Sequence, residues 1–226
     1  MSSQTWWYLS RASGMVAAVM LVASLVWGVL LATRALKPVD RPAWLLSMHR
    51  WFSGLAVIGT AVHLGALVAD NYTHFGTREI LVPMASVWKP GAVTLGVIAL
   101  YLLVLVEATS LLMKKLPKAL WRGVHYSSYL LVWFVAVHAG LAGTDASNRV
   151  YQAVALLLTI AAVTATVLRV TMGKASAQRA ARAAASAPSA HRPPARPPAM
   201  PAPDRPTAAN IRAYVGGSDE RGDSPR

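Results

Sequence analysis

Five runs of almost unbroken apolar residues punctuate the chain, at about Gly14–Thr33, Trp44–Ala69, Ala92–Met113, Leu120–Leu141 and Val150–Val170. None alternates apolar with polar positions as a membrane-spanning strand would. Each is close to the roughly 20 residues that carry a helix across a bilayer. The pattern predicts an all-α membrane protein, a five-helix transmembrane bundle. The first run reads as a span and not as a cleaved signal, because Arg34, Lys37 and Pro38 follow it without a small-residue cleavage site.

From about Gly173 the pattern gives way to Ala, Pro, Ser and Arg, and 9 of the 14 prolines lie beyond that point. Such a segment buries too little apolar surface to offset the entropy of ordering it. The chain therefore divides into a membrane domain over 1–172 and an Ala/Pro/Arg-rich tail over 173–226, expected to be disordered and cytoplasmic. The Lys174–Arg182 stretch reads as solvated, with contact to anionic lipid as the alternative.

Composition sharpens this picture. Only 14% of the 226 residues are charged, against about a quarter in soluble domains, which argues against a water-soluble enzyme. The absence of cysteine removes disulfides, zinc–thiolate sites, iron–sulfur clusters and thiol nucleophiles. A net charge of +13 would suit nucleic acid, but 13 of the 22 Lys and Arg lie in residues 1–170 at the ends of the apolar runs, and the rest are scattered through the tail. That distribution belongs to a lipid bilayer and not to a basic groove, so no nucleic-acid partner is expected.

The same charges orient the spans. Arg34, Lys37, Arg41 and Arg50, then Lys114, Lys115, Lys118 and Arg122, then Arg169, Lys174, Arg179 and Arg182 fall on one side, with only Arg11, Arg78, Lys89 and Arg149 opposite. Short cytoplasmic loops retain positive charge. The expectation is a multi-pass protein of the cytoplasmic membrane with its N terminus outside and its C-terminal tail cytoplasmic. Trp6, Trp7, Trp44, Trp88 and Trp121 fall at span ends, where amphipathic rings anchor at the interface.

Four of the six histidines lie within spans: His49 and His63 on the second, His125 and His138 on the fourth. Ionisable residues at membrane depth are expensive and mark function. His49 and His125 each lie seven residues past a cytoplasmic boundary marker, Pro42 and Lys118, while His63 and His138 each precede an acid, Asp70 and Asp145, by seven. This defines an inner pair, His49/His125, and an outer pair, His63/His138. The helical rise separates the levels by about 21 Å on one helix and about 19.5 Å on the other. Each pair can hold a flat ligand between two helices, as two axial imidazoles hold a haem iron in a six-coordinate centre suited to electron transfer. Around the helix axis His49 and His63 are about 40° apart, but His125 and His138 about 140° apart. The fourth span is therefore tilted or irregular, or its two ligands are approached from different sides.

The pattern His49-x13-His63 with His125-x12-His138, the run Trp121-Arg-Gly-Val-His125-Tyr-Ser-Ser-Tyr129 and the run His138-Ala-Gly-Leu-Ala-Gly-Thr-Asp145 resemble the ferric reductase-like transmembrane domain, over roughly residues 8–170. That family includes the membrane cores of ferric reductases and NADPH oxidases and the haem subunit of the bacterial methionine sulfoxide reductase system. The resemblance implies a di-haem cytochrome b, with two b haems whose iron is held by the four histidines. It would carry electrons across the membrane to an outer acceptor: ferric iron, oxygen or a partner protein. No Gly-rich dinucleotide fingerprint follows the last span. The donor is therefore expected to be a separate flavoprotein reductase or membrane quinol, leaving this chain as the electron-transfer component of an oxidoreductase.

Other residues are weighed on the same basis. Haem propionates need positive charge at the membrane edge, and Arg50 inside and Arg11 outside are the candidates, each equally readable as a topology anchor. Glu107, the one acid within a span, is expected to reach Lys114 or Lys115, with a proton or quinol site as the alternative. Gly59 and Ala66 flank His63 at helical spacing and are candidate haem-facing gaps. His74 reads as solvated, with an outer metal ion as the alternative, and His191 in the tail has no assigned role. The competing reading of the whole chain is a haem-free transport protein with a histidine relay for protons or metal ions. It lacks the midplane acids and broken helices that transporters use.

Overall fold

The structure, a computed structural model, describes residues 3–39, 41–70, 75–145 and 147–186. Its order is α1 (Ser3–Thr33), α2 (Pro42–Ala69), α3 (Thr77–Leu81), α4 (Pro90–Leu111), α5 (Lys118–Ala142) and α6 (Arg149–Ser186), with no strand among the described residues. All but α3 are long and apolar enough to cross a bilayer. The chain is thus an all-α, multi-pass membrane bundle, as its apolar runs predict. Residues 1–179 form one compact unit, and of the second unit, 180–226, only the end of α6 is described.

Element boundaries depart from the sequence reading in three places. The first helix begins at Ser3 instead of Gly14. Its polar opening turns are tolerated because the Ser13 hydroxyl is spent on the Leu9 carbonyl at 2.6 Å. The last helix continues past Gly173 to Ser186, which corrects the expected start of the tail. Hydropathy ends there, but Ala, Lys, Arg and Gln are strong helix formers, and the next proline is Pro188. The remainder of the expected disordered tail, 187–226, lies outside the described residues, as do His74 and His191. Between α2 and α4 the short α3 was not anticipated. Glu79 stops its start from fraying by accepting the Gly76 N–H at 2.8 Å.

Proline at the first position of α2 and of α4 begins each helix where a missing N–H costs nothing. Two antiparallel hairpins result, α1/α2 and α4/α5. In the first, Gly59 sits so close to α1 that an added Cβ would lie 3.1 Å from the Ala17 Cβ and 3.3 Å from its Cα. In the second, Ala99 and Leu103 pack on Leu131, and Lys89 Nζ donates to the Leu141 carbonyl at 2.7 Å, tying the start of α4 to the end of α5. A seam of Val22, Leu25 and Val29 with Val132, Ala162 and Ala165 joins α1, α5 and α6. Phe75 closes one end by packing on Val93 and Val97. Large apolar side chains such as Ile58, Val104 and Leu157 remain exposed on the outside of the bundle, a surface suited to lipid and untenable in water.

The close approach at Gly59 also corrects its expected role. It is a helix-packing contact, and Ala66 is likewise buried in the bundle. Gly59→Leu should lower the unfolding free energy by about 1–3 kcal/mol through overpacking. Gly54→Leu, where a Cβ meets nothing within 4 Å, should leave it unchanged, both read from denaturation in detergent micelles.

Candidate functional site

Three of the four membrane histidines are held in the same way. His63 Nδ1 lies 2.8 Å from the Ser10 carbonyl oxygen, His49 Nδ1 lies 2.9 Å from that of Ser24, and His138 Nδ1 lies 2.7 Å from that of Ala92. A carbonyl can only accept, so in each case Nδ1 carries the proton and donates it, which leaves Nε2 with the lone pair. The Ser10 and Ser24 hydroxyls stand 3.2 and 3.1 Å from the same nitrogens. This is the arrangement by which proteins orient a metal-binding imidazole: the nitrogen away from the metal is pinned to a carbonyl, fixing tautomer and ring direction.

Glycine makes the approach possible. Four residues after each accepting carbonyl, on the same helix face, stand Gly14, Gly28 and Gly96. A Cβ there would lie 2.9 Å from His63 Nδ1, 3.1 Å from His49 Cε1 and 2.8 Å from His138 Cε1. These sockets escaped the sequence reading, since glycine is common in membrane helices. One signal could have found two of them. Ser10-x3-Gly14 and Ser24-x3-Gly28 repeat at 14 residues on α1, the spacing of His49 and His63 on the antiparallel α2.

The structure sets His49 beside His125 and places His63 and His138 on one cavity. The rings of His49 and His125 meet edge-on, with centroids 6.0 Å apart and planes 73° apart. His63 and His138 line one cavity of about 650 Å³, within the roughly 300–1,000 Å³ of small-molecule and cofactor sites. Its walls are apolar, with Val22, Val97, Leu103 and Leu131 among them, and Arg11, Glu79 and Asp145 line it too. At His63 and His138 the imidazole donors, their tautomers and the apolar cavity suit a flat macrocycle ligated through Nε2. No group of three or more His, Asp or Glu arranged for a metal ion occurs among the described residues.

The difference in angle on the fourth span resolves without a break in the helix, since α5 is continuous from Lys118 to Ala142. Its two histidines leave from different sides. His138 turns to α4, whereas His125 turns to His49 on α2 and stacks on Trp121, with centroids 5.2 Å apart and planes 24° apart. His125 Nδ1 is buried and has no hydrogen-bond partner. Trp121, expected as an interface anchor, is therefore part of the site.

The two arginines differ. Arg11 donates Nε–H to Asp145 Oδ2 at 3.0 Å and pairs a second nitrogen with Oδ1, while its guanidinium lies 5.8 and 6.0 Å from the Trp7 and Tyr8 ring centroids. It lines the cavity already engaged with a carboxylate, a partner the sequence reading did not assign. Arg50, beside His49, is exposed. Glu107 reaches neither Lys114 nor Lys115. It accepts a hydrogen bond from Ser53 on α2 at 2.8 Å, because an acid facing the bundle is satisfied more cheaply by a neighbouring hydroxyl than by extending to the membrane edge. Glu79, on the short α3, is held below the ordinary carboxylate range by hydrogen bonds from its own and the Gly76 backbone N–H.

Comparison of the chain with protein-family models, with curated proteins and with solved structures gives no match. The site geometry therefore carries the functional reading by itself.

Gly96→Ala should push the His138 ring out of its socket and break the Nδ1–Ala92 bond, at a cost of about 0.5–1.5 kcal/mol. Nitrogen NMR of histidine-labelled protein should then lose the Nδ1-protonated signal of His138. Gly91→Ala, with open space at its Cβ, should retain it.

Proposed function

We propose that this chain is a cytochrome b of the cytoplasmic membrane that moves single electrons across the bilayer through two bis-histidine b haems. The observation that carries the reading is the pinning of Nδ1 of His49, His63 and His138 to backbone carbonyls, which leaves the Nε2 lone pair of each ring free to ligate. His49 and His125 would hold the haem nearer the cytoplasm, His63 and His138 the outer one. When bound, each haem supplies a one-electron iron couple.

The chain's own residues do the rest. The glycine sockets at 14, 28 and 96 fix ring depth, and the carbonyls fix tautomer and raise the basicity of the ligating nitrogen. The apolar walls around His63 and His138 exclude water and keep the local dielectric low, which strengthens every charge interaction inside. Arg11 offers a guanidinium to an anionic substituent at the outer cavity by exchange with Asp145, and exposed Arg50 does so on the inner side. The charge bias supports an N terminus outside and α6 running to the cytoplasm. Electrons would come from a separate flavoprotein reductase or quinol and leave for an outer acceptor, in the manner of the ferric reductase-like domain that the histidine spacing resembles.

The hydrogen-bond pattern counts against a proton relay. A relay needs partners that accept one proton and release another, and a backbone carbonyl has none to release.

The test is haem content per chain. The wild-type protein should be red, with two b haems. His63→Ala or His138→Ala should remove one haem, and His49→Ala with His63→Ala should remove both. A colourless wild-type protein, prepared with haem synthesis intact, would overturn the reading.

A further inference from the structure

The four sockets are not equivalent. Stepping along α4 from Ala92 and Gly96, the pair that seats His138, by the 13 residues that separate His138 from His125 arrives at Leu105 and Thr109. Stepping by the 14 residues used on α1 arrives at Val106 and Ser110. Neither position four residues on is glycine, so a Cβ stands where the other three rings enter. The carbonyls are also taken: Thr109 Oγ1 donates to Leu105 at 2.8 Å and lies 3.1 Å from the Val106 oxygen. The α4 position this register would offer His125 is thus filled by the chain itself, and the ring turns instead to His49 on α2. His125 is left with a buried Nδ1 that has no partner, and stacking on Trp121 is the contact that orients it.

We infer that His125 is the exchangeable ligand of the 49/125 centre. Its place at the iron would be open to a small neutral diatomic molecule such as carbon monoxide, while the 63/138 centre stays closed to it. The inference rests on the two-haem reading and adds an asymmetry to it. An imidazole pinned through Nδ1 cannot swing from its metal without breaking a buried hydrogen bond; an imidazole held by stacking slides along the face of its partner ring. Loss of a hydrogen bond of this kind typically lowers metal affinity about 10–100-fold. The exchange moves no electrons: the bond from ferrous iron to His125 Nε2 breaks, a bond to the carbon of carbon monoxide forms, and the iron remains ferrous. A pocket for so small a ligand needs no space beyond that vacated by the ring.

The experiment is a carbon monoxide titration of the dithionite-reduced wild-type protein in detergent, followed by the Soret difference spectrum. One of the two haems should bind, at an affinity at least about tenfold above the other. The chain with His63→Ala and His138→Ala, confined to the inner centre, should bind in the same way. The chain with His49→Ala and His125→Ala should not bind in that range. Trp121→Ala, which removes the stacking partner, should tighten carbon monoxide binding in the otherwise native chain. A two-haem protein that binds no carbon monoxide, or binds it at the 63/138 centre, overturns this inference and leaves the two-haem reading standing. A chain without haem overturns both. If a double variant loads no haem, the wild-type stoichiometry and the Trp121→Ala shift decide.

Discussion

The hydrogen bond from a histidine Nδ1–H to a helix carbonyl, made across a glycine, is the constraint on which the rest of this bundle depends. In a bilayer interior no water is available to satisfy an imidazole, so a ring that donates must find its acceptor within the protein, as His49, His63 and His138 do. Helix carbonyls keep a second lone pair after serving their own ladder, but a side chain four residues on normally screens it. Glycine removes that screen at positions 14, 28 and 96. The consequence is structural as well as chemical. On α1 the two sockets lie 14 residues apart, and so do the two histidines on α2, so both can seat only in one register of the antiparallel hairpin.

Several other polar groups inside the bundle obey the same economy. Ser53 serves Glu107, Asp145 serves Arg11, and the threonines turn their hydroxyls back onto carbonyls of their own helices. Small residues do the packing that the hydrophobic effect cannot do in lipid, as Gly59 and Ala17 show. Alongside the Nε1 atoms of Trp27 and Trp121, the Nδ1 of His125 is buried without a partner. It follows from one residue of spacing: 12 residues between the histidines of α5, where α2 has 13, turns the ring away from α4 and toward His49.

Much of this architecture was legible in the sequence. Long apolar runs have one physical solution in a membrane, so the helices and the two histidine levels could be read directly. Boundaries were less legible, because hydropathy reports where lipid begins and not where a helix ends. Alanine, lysine and arginine carried α6 beyond Gly173 to Ser186. Partners were the least legible. Nothing in the sequence distinguishes Gly96, which admits an imidazole, from Gly54, which faces open space. Nor does Trp121 announce that it will stack on a histidine instead of anchoring at the interface. Such roles depend on what the neighbouring helix presents, and that is fixed only when register and rotation are known.

The central claim is that imidazoles face each other in pairs as ligands of iron. Electron paramagnetic resonance of the oxidised protein in its native membrane tests it most directly. The account predicts two distinct low-spin ferric signals of the bis-imidazole type, each integrating to one spin per chain and each abolished separately by substitution of His49 or of His63. The absence of low-spin ferric haem from a folded, membrane-inserted chain would contradict it.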